Sequence, residues 1–599
     1  MSNHKVKSVL KGSAVASLLM TANIAAAVDV SFSGFIRQEM AYNLSDKNSR
    51  FNQQGNIYNG VTVDNNFVPG ETFTRPDITQ DNDWNLMATR IELDTQIKFN
   101  EHWDAFIRLR AFVDNNVYND SGNANFFEVP LHGDCGTALE ICDENYMVDL
   151  PSFYLDYNNG PIWLRFGNQQ IAWGEALFFR VADVANGLDL RRHSFLDYTP
   201  EEYADERVAA PGIRGSYRIN EDWEIEAFTQ MFSPSILGNE NTPYNVIPSQ
   251  FVIRHEESFD KVDDAWNAGL RLRGQIGELG LQFFAVNRRN PDGVFRWTES
   301  NINPFAGVEG LEATGELLAN TAFELDPQGV YSSDEWFSYA SASRLDGVGA
   351  LDTAISEFAA AGASGLGGFA ITDDPSGTCG ALGLGARDCA AFELDSFYTG
   401  LGPLRGHLAR EYKRENIFGW GFNYLFFDEP DTLLDQLVVR FEMSFTPDKQ
   451  FTNPSLSREY IEEDEFAASL VFEKYHRFSE SFPATFMVLE YMYKSESDMY
   501  GRHLSGSNND GIAEGEDNFH AFAFAMQQAS PTLLWRFDLA VLYDVQGGLL
   551  VQPGVRYKPN ADFTIEAYAT ILDSDGGNDD IIETFEDSDE IGLRIGYQF

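Results

Sequence analysis

From Val30 to its last residue the chain falls into short stretches in which apolar side chains alternate with polar or charged ones, a period of two that belongs to extended strands. The first sets Val30, Phe32, Gly34, Ile36, Met40 and Tyr42 against Ser31, Ser33, Arg37 and Glu39. The second sets Ile91, Leu93, Ile97 and Phe99 against Arg90, Glu92, Asp94, Gln96 and Lys98. The third sets Trp103, Ala105, Ile107, Leu109, Ala111 and Val113 against Asp104, Arg108 and Arg110. A dense charged face behind a wholly apolar one suits a strand with a water-filled lumen on one side and lipid on the other.

The same criterion predicts strands near 151–157, 161–167, 212–219, 223–231, 267–276, 280–287, 416–426, 437–445, 466–473, 484–493, 519–528, 533–543, 548–558, 562–571 and 589–599, eighteen in all. Alternation is less clean at 466–473 and 519–528, and dropping those two leaves sixteen. Either count is even, as single-chain bacterial barrels require. The connections alternate in length. Asn100-Glu101-His102, Asn158-Asn159-Gly160, Asn220-Glu221-Asp222, Gly277-Glu278-Leu279, 427–436, 474–483, 529–532 and Pro559-Asn560-Ala561 are short. Of the others, 43–89, 114–150, 168–211, 232–266, 288–415, 446–465, 494–518 and 572–588 are long, and only 544–547 is not. Short periplasmic turns and long external loops give this pattern, with both termini on the periplasmic side. A soluble sandwich also alternates along its strands but seldom alternates its loop lengths so strictly. The expected fold is therefore all-β: a transmembrane antiparallel β-barrel of 16–18 strands over residues 28–599 with long extracellular loops.

Both ends agree. Lys5, Lys7 and Lys11 precede a short apolar core, and Ala25-Ala26-Ala27 offers a small-residue cleavage site, so residues 1–27 read as a signal peptide and Val28 as the mature start. No later window approaches the roughly 18 consecutive apolar residues of a membrane helix. The last strand, Asp589 to Phe599, ends on an aromatic and resembles the signal read by bacterial barrel-assembly machinery. The location that follows is the outer membrane of a Gram-negative bacterium, among outer-membrane lipid and lipopolysaccharide.

A formal charge of −50 argues against nucleic acid as a partner, because such binding rests on cationic contacts to phosphate. The hydrophobic content of 43% and aromatic content of 14% are too rich for a solvated disordered chain. The 48 Phe, 24 Tyr and 10 Trp also suit interfacial aromatic girdles. The only cysteines, Cys135 with Cys142 and Cys379 with Cys389, lie close in sequence in Gly-rich or acidic loops and are expected to form two local disulfides in an oxidising compartment.

The loops differ in character. The 288–415 connection carries an Ala/Gly-rich stretch from Ala359 to Gly368 and reads as an external cap or lid. The 572–588 loop holds Asp573, Asp575, Asp579, Asp580, Glu583, Glu586 and Asp587 with no base. Its oxygens could hold Ca²⁺, but it lacks the EF-hand order, and a solvated acidic loop bridged to lipopolysaccharide by divalent ions is the better reading. No other cofactor is expected.

The most distinctive stretch is Arg165 to Arg192, RFGNQQIAWGEALFFRVADVANGLDLRR. Its run from Gly167 to Glu175, followed by Asp183, Asn186, Asp189 and Arg191, resembles the signature of a family of uncharacterised proteobacterial outer-membrane proteins catalogued as a domain of unknown function. Members share the secretion signal, a G-x-Q-x-x-x-W-G-E core and the aromatic terminus. The chain departs from the family's Asn-Pro-hydrophobic-Asp step, having Ala182-Asp183-Val184-Ala185-Asn186 in its place. The resemblance implies association with pumps of the resistance-nodulation-division superfamily and a periplasmic carrier, and hence passage of lipid-like or other hydrophobic compounds.

Composition alone gives this stretch a role. Trp173, Phe178 and Phe179 mix with Glu175, Arg180, Asp183, Asp189, Arg191 and Arg192, so the 168–211 loop could fold into the lumen and act as its constriction. The alternative is a loop packed on the rim. Inferred inward faces carry both signs, with Arg90, Arg108, Arg110, Arg271, Arg273 and Arg440 among the cations and Glu226 and Glu442 among the acids. Internal ion pairing is expected there, and any unneutralised Arg strip would favour amphipathic anions.

The sequence supports a channel or export conduit for small hydrophobic or amphipathic molecules, working with an inner-membrane exporter, with a general porin as the alternative. An enzyme is disfavoured, since the nine histidines are scattered and neither G-x-S-x-G nor H-E-x-x-H occurs. A surface receptor or adhesion barrel would keep the long loops but need no pore.

Overall fold

In the computed structural model, the described residues are 28–599 apart from 46–48, 50, 80–83, 115–124, 192–205, 241, 243–244, 255–257, 364–377, 430–431, 510–511, 514 and 575–581. The expected signal peptide, 1–27, lies outside them.

Eighteen strands form the wall: β1 Asp29–Asn43, β2 Trp84–Lys98, β3 Trp103–Asp114, β4 Tyr146–Asn159, β5 Ile162–Gln169, β6 Ala210–Arg218, β7 Trp223–Met231, β8 Trp266–Ile276, β9 Leu279–Arg289, β10 Arg414–Leu425, β11 Val438–Phe451, β12 Ile461–His476, β13 Thr485–Lys494, β14 Phe519–Ala529, β15 Trp535–Asp544, β16 Leu549–Tyr557, β17 Phe563–Asp573 and β18 Glu590–Gln598. Each pairs antiparallel with its sequence neighbour, and β1 closes the ring on β18 with Glu39 opposite Arg594. The two segments with weaker alternation, β12 and β14, are both wall strands.

The closing seam uses the last residue. Phe599 donates its N–H to Gly34 O at 2.9 Å and accepts from Gly34 N at 3.0 Å. A Cβ on Gly34 would come within 2.9 Å of the Phe599 ring and 2.3 Å of Glu92 O, so only glycine lets the terminus dock there.

Side-chain parity sorts the wall as its chemistry demands. Phe32, Ile36, Leu109, Phe166, Ile213, Leu270, Phe283, Phe418, Phe537 and Ile591 are exposed on the outer face, as a lipid-facing belt requires. The residues between them turn inward and are largely buried, Arg90, Glu92, Glu226, Arg271, Glu442 and Arg594 among them. No described helix is long and apolar enough to cross a membrane.

The 288–415 connection is a folded cap rather than an extended loop. Its central strand, Leu404–Glu411, pairs antiparallel with Val294–Trp297 and Phe323–Val330 and parallel with Phe251–Arg254 from the preceding external loop. Helices Ser333–Ala342, Gly347–Ser356 and Ala386–Leu401 pack on this sheet around Trp297, Trp336, Phe337, Leu351 and Phe397. Ion pairs such as Arg75 to Glu335 at 2.8 Å and Arg344 to Glu516 at 3.0 Å tie the cap to neighbouring external loops. Cys135 and Cys142 form a disulfide. Cys389 is also disulfide-bonded, while the side chain of its expected partner, Cys379, lies outside the described residues.

Candidate functional site: a segment across the lumen

After β5 the chain turns into the barrel instead of out over the rim. Two residues before the end of β5, Gly167 has a φ of 133°. A Cβ there would fall 2.3 Å from Phe153 O, so the position excludes any larger residue. Residues 170–191 then touch the inner wall at β7, β9, β10, β11 and β13 before the chain returns to β6. In a ring of eighteen strands β5 and β13 stand on nearly opposite walls, so the segment crosses the lumen.

Three wall carboxylates hold it. Glu226 on β7 accepts the indole N–H of Trp173 at 2.7 Å and is flanked by Arg214 at 2.6 Å and Arg271 at 2.7 Å. Glu442 on β11 accepts the backbone N–H groups of Glu175 and, at 3.4 Å, Ala182, together with Gln282 Nε2 at 3.2 Å. Glu490 on β13 accepts three consecutive N–H groups, those of Leu177 at 2.9 Å, Phe178 at 2.9 Å and Phe179 at 3.2 Å, and the Ser469 hydroxyl at 2.9 Å. An irregular backbone buried in a barrel has no strand partner for its amides, and charged acceptors on the wall supply one.

The G-x-Q-x-x-x-W-G-E residues divide this work. Gly167 lets β5 lie close against Phe153 and Tyr154 of β4, and Gln169 donates to Gly212 O at 3.2 Å while its own carbonyl accepts from Gln230 at 2.9 Å. Trp173, 2% exposed, packs among Ile171, Ala182, Phe228, Phe284 and Ile417 with its ring 5.0 Å from Phe228. Gly174 lets the returning chain approach, because a Cβ there would lie 3.0 Å from Asp183 N. Glu175 accepts from Asn423 Nδ2 at 2.9 Å and faces Arg440 at 3.9 Å.

The remaining sequence-predicted residues are placed as follows. Arg180 donates to the carbonyls of Asp183 at 2.9 Å and Asn186 at 2.6 Å, and Asp183 pairs with Arg207 at 2.7 Å. These contacts brace the return of the segment. Arg191 is wholly buried between Glu140 at 2.6 Å and Asp189 at 2.9 Å and donates to Phe127 O at 2.7 Å, beside the Cys135–Cys142 loop. Burial opposes its charge, but Asp189 and Glu140 outweigh that and hold it more firmly protonated than a free arginine. Asp189 and Arg191 thus join loop to loop and do not face free space. Arg192 lies outside the described residues.

The six lumen arginines singled out by parity all carry carboxylate partners. Arg90 pairs with Glu92 at 2.9 Å, Arg108 with Asp94 at 2.7 Å, Arg110 with Asp149 at 2.6 Å, Arg271 with Glu226, Arg273 with Glu224 at 2.9 Å and Arg440 with Glu473. None of the six forms an unneutralised strip. Glu490 was not legible as a functional residue, being a lone acid in the apolar run TFMVLEYMYK; its inward parity, shared with Val488 and Met492, was the available signal.

Two environments lie on either side of the segment. Toward the short turns 219–222 and 277–278, a vestibule of about 350 Å³ is lined by Glu175, Arg271, Arg273, Glu224, Trp223 and Asn423. Away from it, the Phe179 tip enters an apolar cluster with Phe112, Phe127, Met147, Met492 and Ala523 from the far wall and loops. Of the acidic 572–588 loop, Asp575, Asp579 and Asp580 lie outside the described residues; among those described, Glu463, Glu496 and His503 bring three ligand-bearing side chains together around another external loop.

The family model described as a protein of unknown function (DUF1302) matches residues 8–599. No curated protein sequence matches this one. Among solved structures the chain is similar to OccAB3 of Acinetobacter baumannii, at 10% identity and a TM-score of 0.42 over 95% of this chain and 99% of that one. It is similar to OccAB2 of the same organism at 7% identity and a TM-score of 0.43, covering 95% and 98%. A third is Pseudomonas aeruginosa OccK2 (OpdF) in complex with glucuronate, at 7% identity and a TM-score of 0.39, covering 95% and 98%.

Proposed function

This chain belongs to the DUF1302 family, and from that premise and the geometry of its lumen we propose that it is an outer-membrane channel or conduit for small hydrophobic or amphipathic molecules. One observation carries the reading: a segment anchored by wall carboxylates crosses the lumen and separates a charged vestibule from an apolar cluster. A solute with a polar head and an apolar body meets complementary groups in that order. Its head would lie among Arg271, Arg273 and Glu175, and its body would meet Phe179, Phe112 and Met492, which are packed together in this structure and have to part to admit it. The vestibule faces the short turns, the side from which a periplasmic carrier fed by an inner-membrane exporter would deliver cargo.

Glu175 is the gatekeeping charge of this reading, because its side chain is 40% exposed while that of Asp183 is 7% exposed. Side-chain charges at a constriction choose among permeating solutes. The test is flux through protein reconstituted in liposomes, comparing a series of carboxylates of equal charge and rising apolar length with sugars of similar size. Faster flux with rising apolar length supports the reading. Flux that follows size alone makes the protein a general porin, and no flux of any solute in folded protein defeats both.

A further inference from the structure

At the external ends of β9 and β10 the two faces of the wall treat arginine differently. Facing inward, Arg288 meets Glu415 at 2.7 Å. One residue on, facing outward, Arg289 stands directly opposite Arg414 in the register of the two strands. Like charges placed opposite each other in an antiparallel pair destabilise it. Among the described residues no carboxylate lies within ion-pairing distance of either, although the chain has 92 acids for 42 bases. Asp264 acts on Arg289 only at longer range.

Their hydrogen bonds are to neutral groups and orient the pair without neutralising it. Arg414 donates to Asn287 Oδ1 and to Trp266 O at 3.0 Å, and Arg289 donates to Tyr412 O at 2.8 Å. The buried Nε of Arg289 has no partner. The depth is also informative. Along the outer face of β10, Trp420 and Phe418 are lipid-exposed, Asn416 follows, and Arg414 comes next, about 14 Å along the strand beyond Phe418 at roughly 3.4 Å per residue. Exposed Trp266 sits beside the pair in the adjoining strand. This is the order of an apolar belt, an interfacial aromatic and a headgroup layer.

We infer that Arg289 and Arg414 form a binding site for a phosphorylated glycolipid headgroup of the outer leaflet. Two guanidinium groups side by side suit a phosphate, whose oxygens accept paired N–H bonds and whose charge removes the repulsion between them. Two strands along the wall the sign differs: Glu462 and Asp464 point outward above Phe466 on β12, so the site is a local feature and not a general property of the rim.

The test uses the full-length barrel, delipidated in neutral detergent, with native mass spectrometry counting bound bisphosphorylated lipid A. The Arg289→Ala/Arg414→Ala double variant should lose at least tenfold in affinity while keeping its heat-modifiable migration. The Arg289→Lys/Arg414→Lys double variant should retain part of it. Lipid A lacking both phosphates should bind the wild type no better than the bisphosphorylated form binds the alanine variant. Arg458→Ala, which removes a rim cation paired with Glu357, should change nothing. Equal lipid A binding by wild type and the alanine variant overturns the site. Displacement of lipid A by an equal concentration of inorganic phosphate overturns the headgroup assignment in favour of a free anion.

Discussion

The segment at 170–191 and the cap at 288–415 both fill space around the same barrel, but they are stabilised by opposite means. The cap carries its own helices and apolar core around Trp297 and Trp336, and most of its backbone amides are satisfied by its own helices and by the sheet it builds with Phe251–Arg254. The internal segment has no strand or helix between Gln170 and Arg191, and the amides of Glu175, Leu177, Phe178, Phe179 and Ala182 in its middle are satisfied by glutamates on the barrel wall. The cap is therefore a module attached to the barrel, whereas the segment is shaped by the wall and cannot keep its path without it. An element of the second kind is suited to setting the size and sign of a passage, because each anchor is a separate point of adjustment.

The largest effect is expected from Trp173→Ala. It empties a packed aromatic site and leaves Glu226 without its indole donor, and should cost about 3–5 kcal/mol of stability around the segment. Protease sensitivity confined to residues 170–191, with the cap still resistant, would sharpen the contrast between the two regions. Loss of protection in both regions together would break it.

Glu490→Ala comes next. It strands three N–H groups, that of Phe179 buried and those of Leu177 and Phe178 partly so, at up to roughly 1–3 kcal/mol each, partly relieved by entering water. Hydrogen exchange at Leu177, Phe178 and Phe179 should rise by orders of magnitude while exchange in the cap helices stays unchanged.

The cap has a corresponding weak point. Glu393, on helix Ala386–Leu401, is fully buried and neither carboxyl oxygen has a hydrogen-bond partner. Burial, and then Asp352, push its carboxyl up to about 9. The folded cap thus holds this proton more tightly than the unfolded chain. That stabilisation is complete below the ordinary value near 4.5 and is lost as pH rises through about 9. Glu393→Gln should flatten this slope, of at most about 1.4 kcal/mol per pH unit, in thermal melts of the cap from pH 5 to 9, and leave exchange in 170–191 untouched. An unchanged slope would remove Glu393 as its cause.

The smallest structural effect belongs to Glu175→Gln, which keeps the backbone bond to Glu442 and removes only a half-exposed charge. Stability should move by less than about 0.5 kcal/mol, while the reversal potential shifts toward anions.

What was legible in the sequence follows from the same contrast. Each wall strand faces two different solvents, so its period of two is written in side-chain type, and all eighteen strands appear from it. The cap's central strand, Leu404–Glu411, is buried on both faces until its last residue; no solvent difference marks its alternate positions, and the connection reads as a loop. Within the internal segment, the mixture of Trp173, Phe179 and charged residues suggests inward folding, yet residue type does not separate Glu175, which lines the vestibule, from Arg191, which is sealed between Asp189 and Glu140. The anchoring glutamates are separated from the segment by up to 313 residues in sequence, and only the closure of the ring brings them together.

The most direct measurement is single-channel conductance in planar bilayers for the wild type and for Glu490→Ala, each verified as folded by heat-modifiable migration. A segment that narrows the passage predicts a small, stable wild-type conductance that rises severalfold when the Glu490 anchor is removed. Equal conductance in the two proteins, with hydrogen exchange showing residues 177–179 released in the variant, would contradict the account.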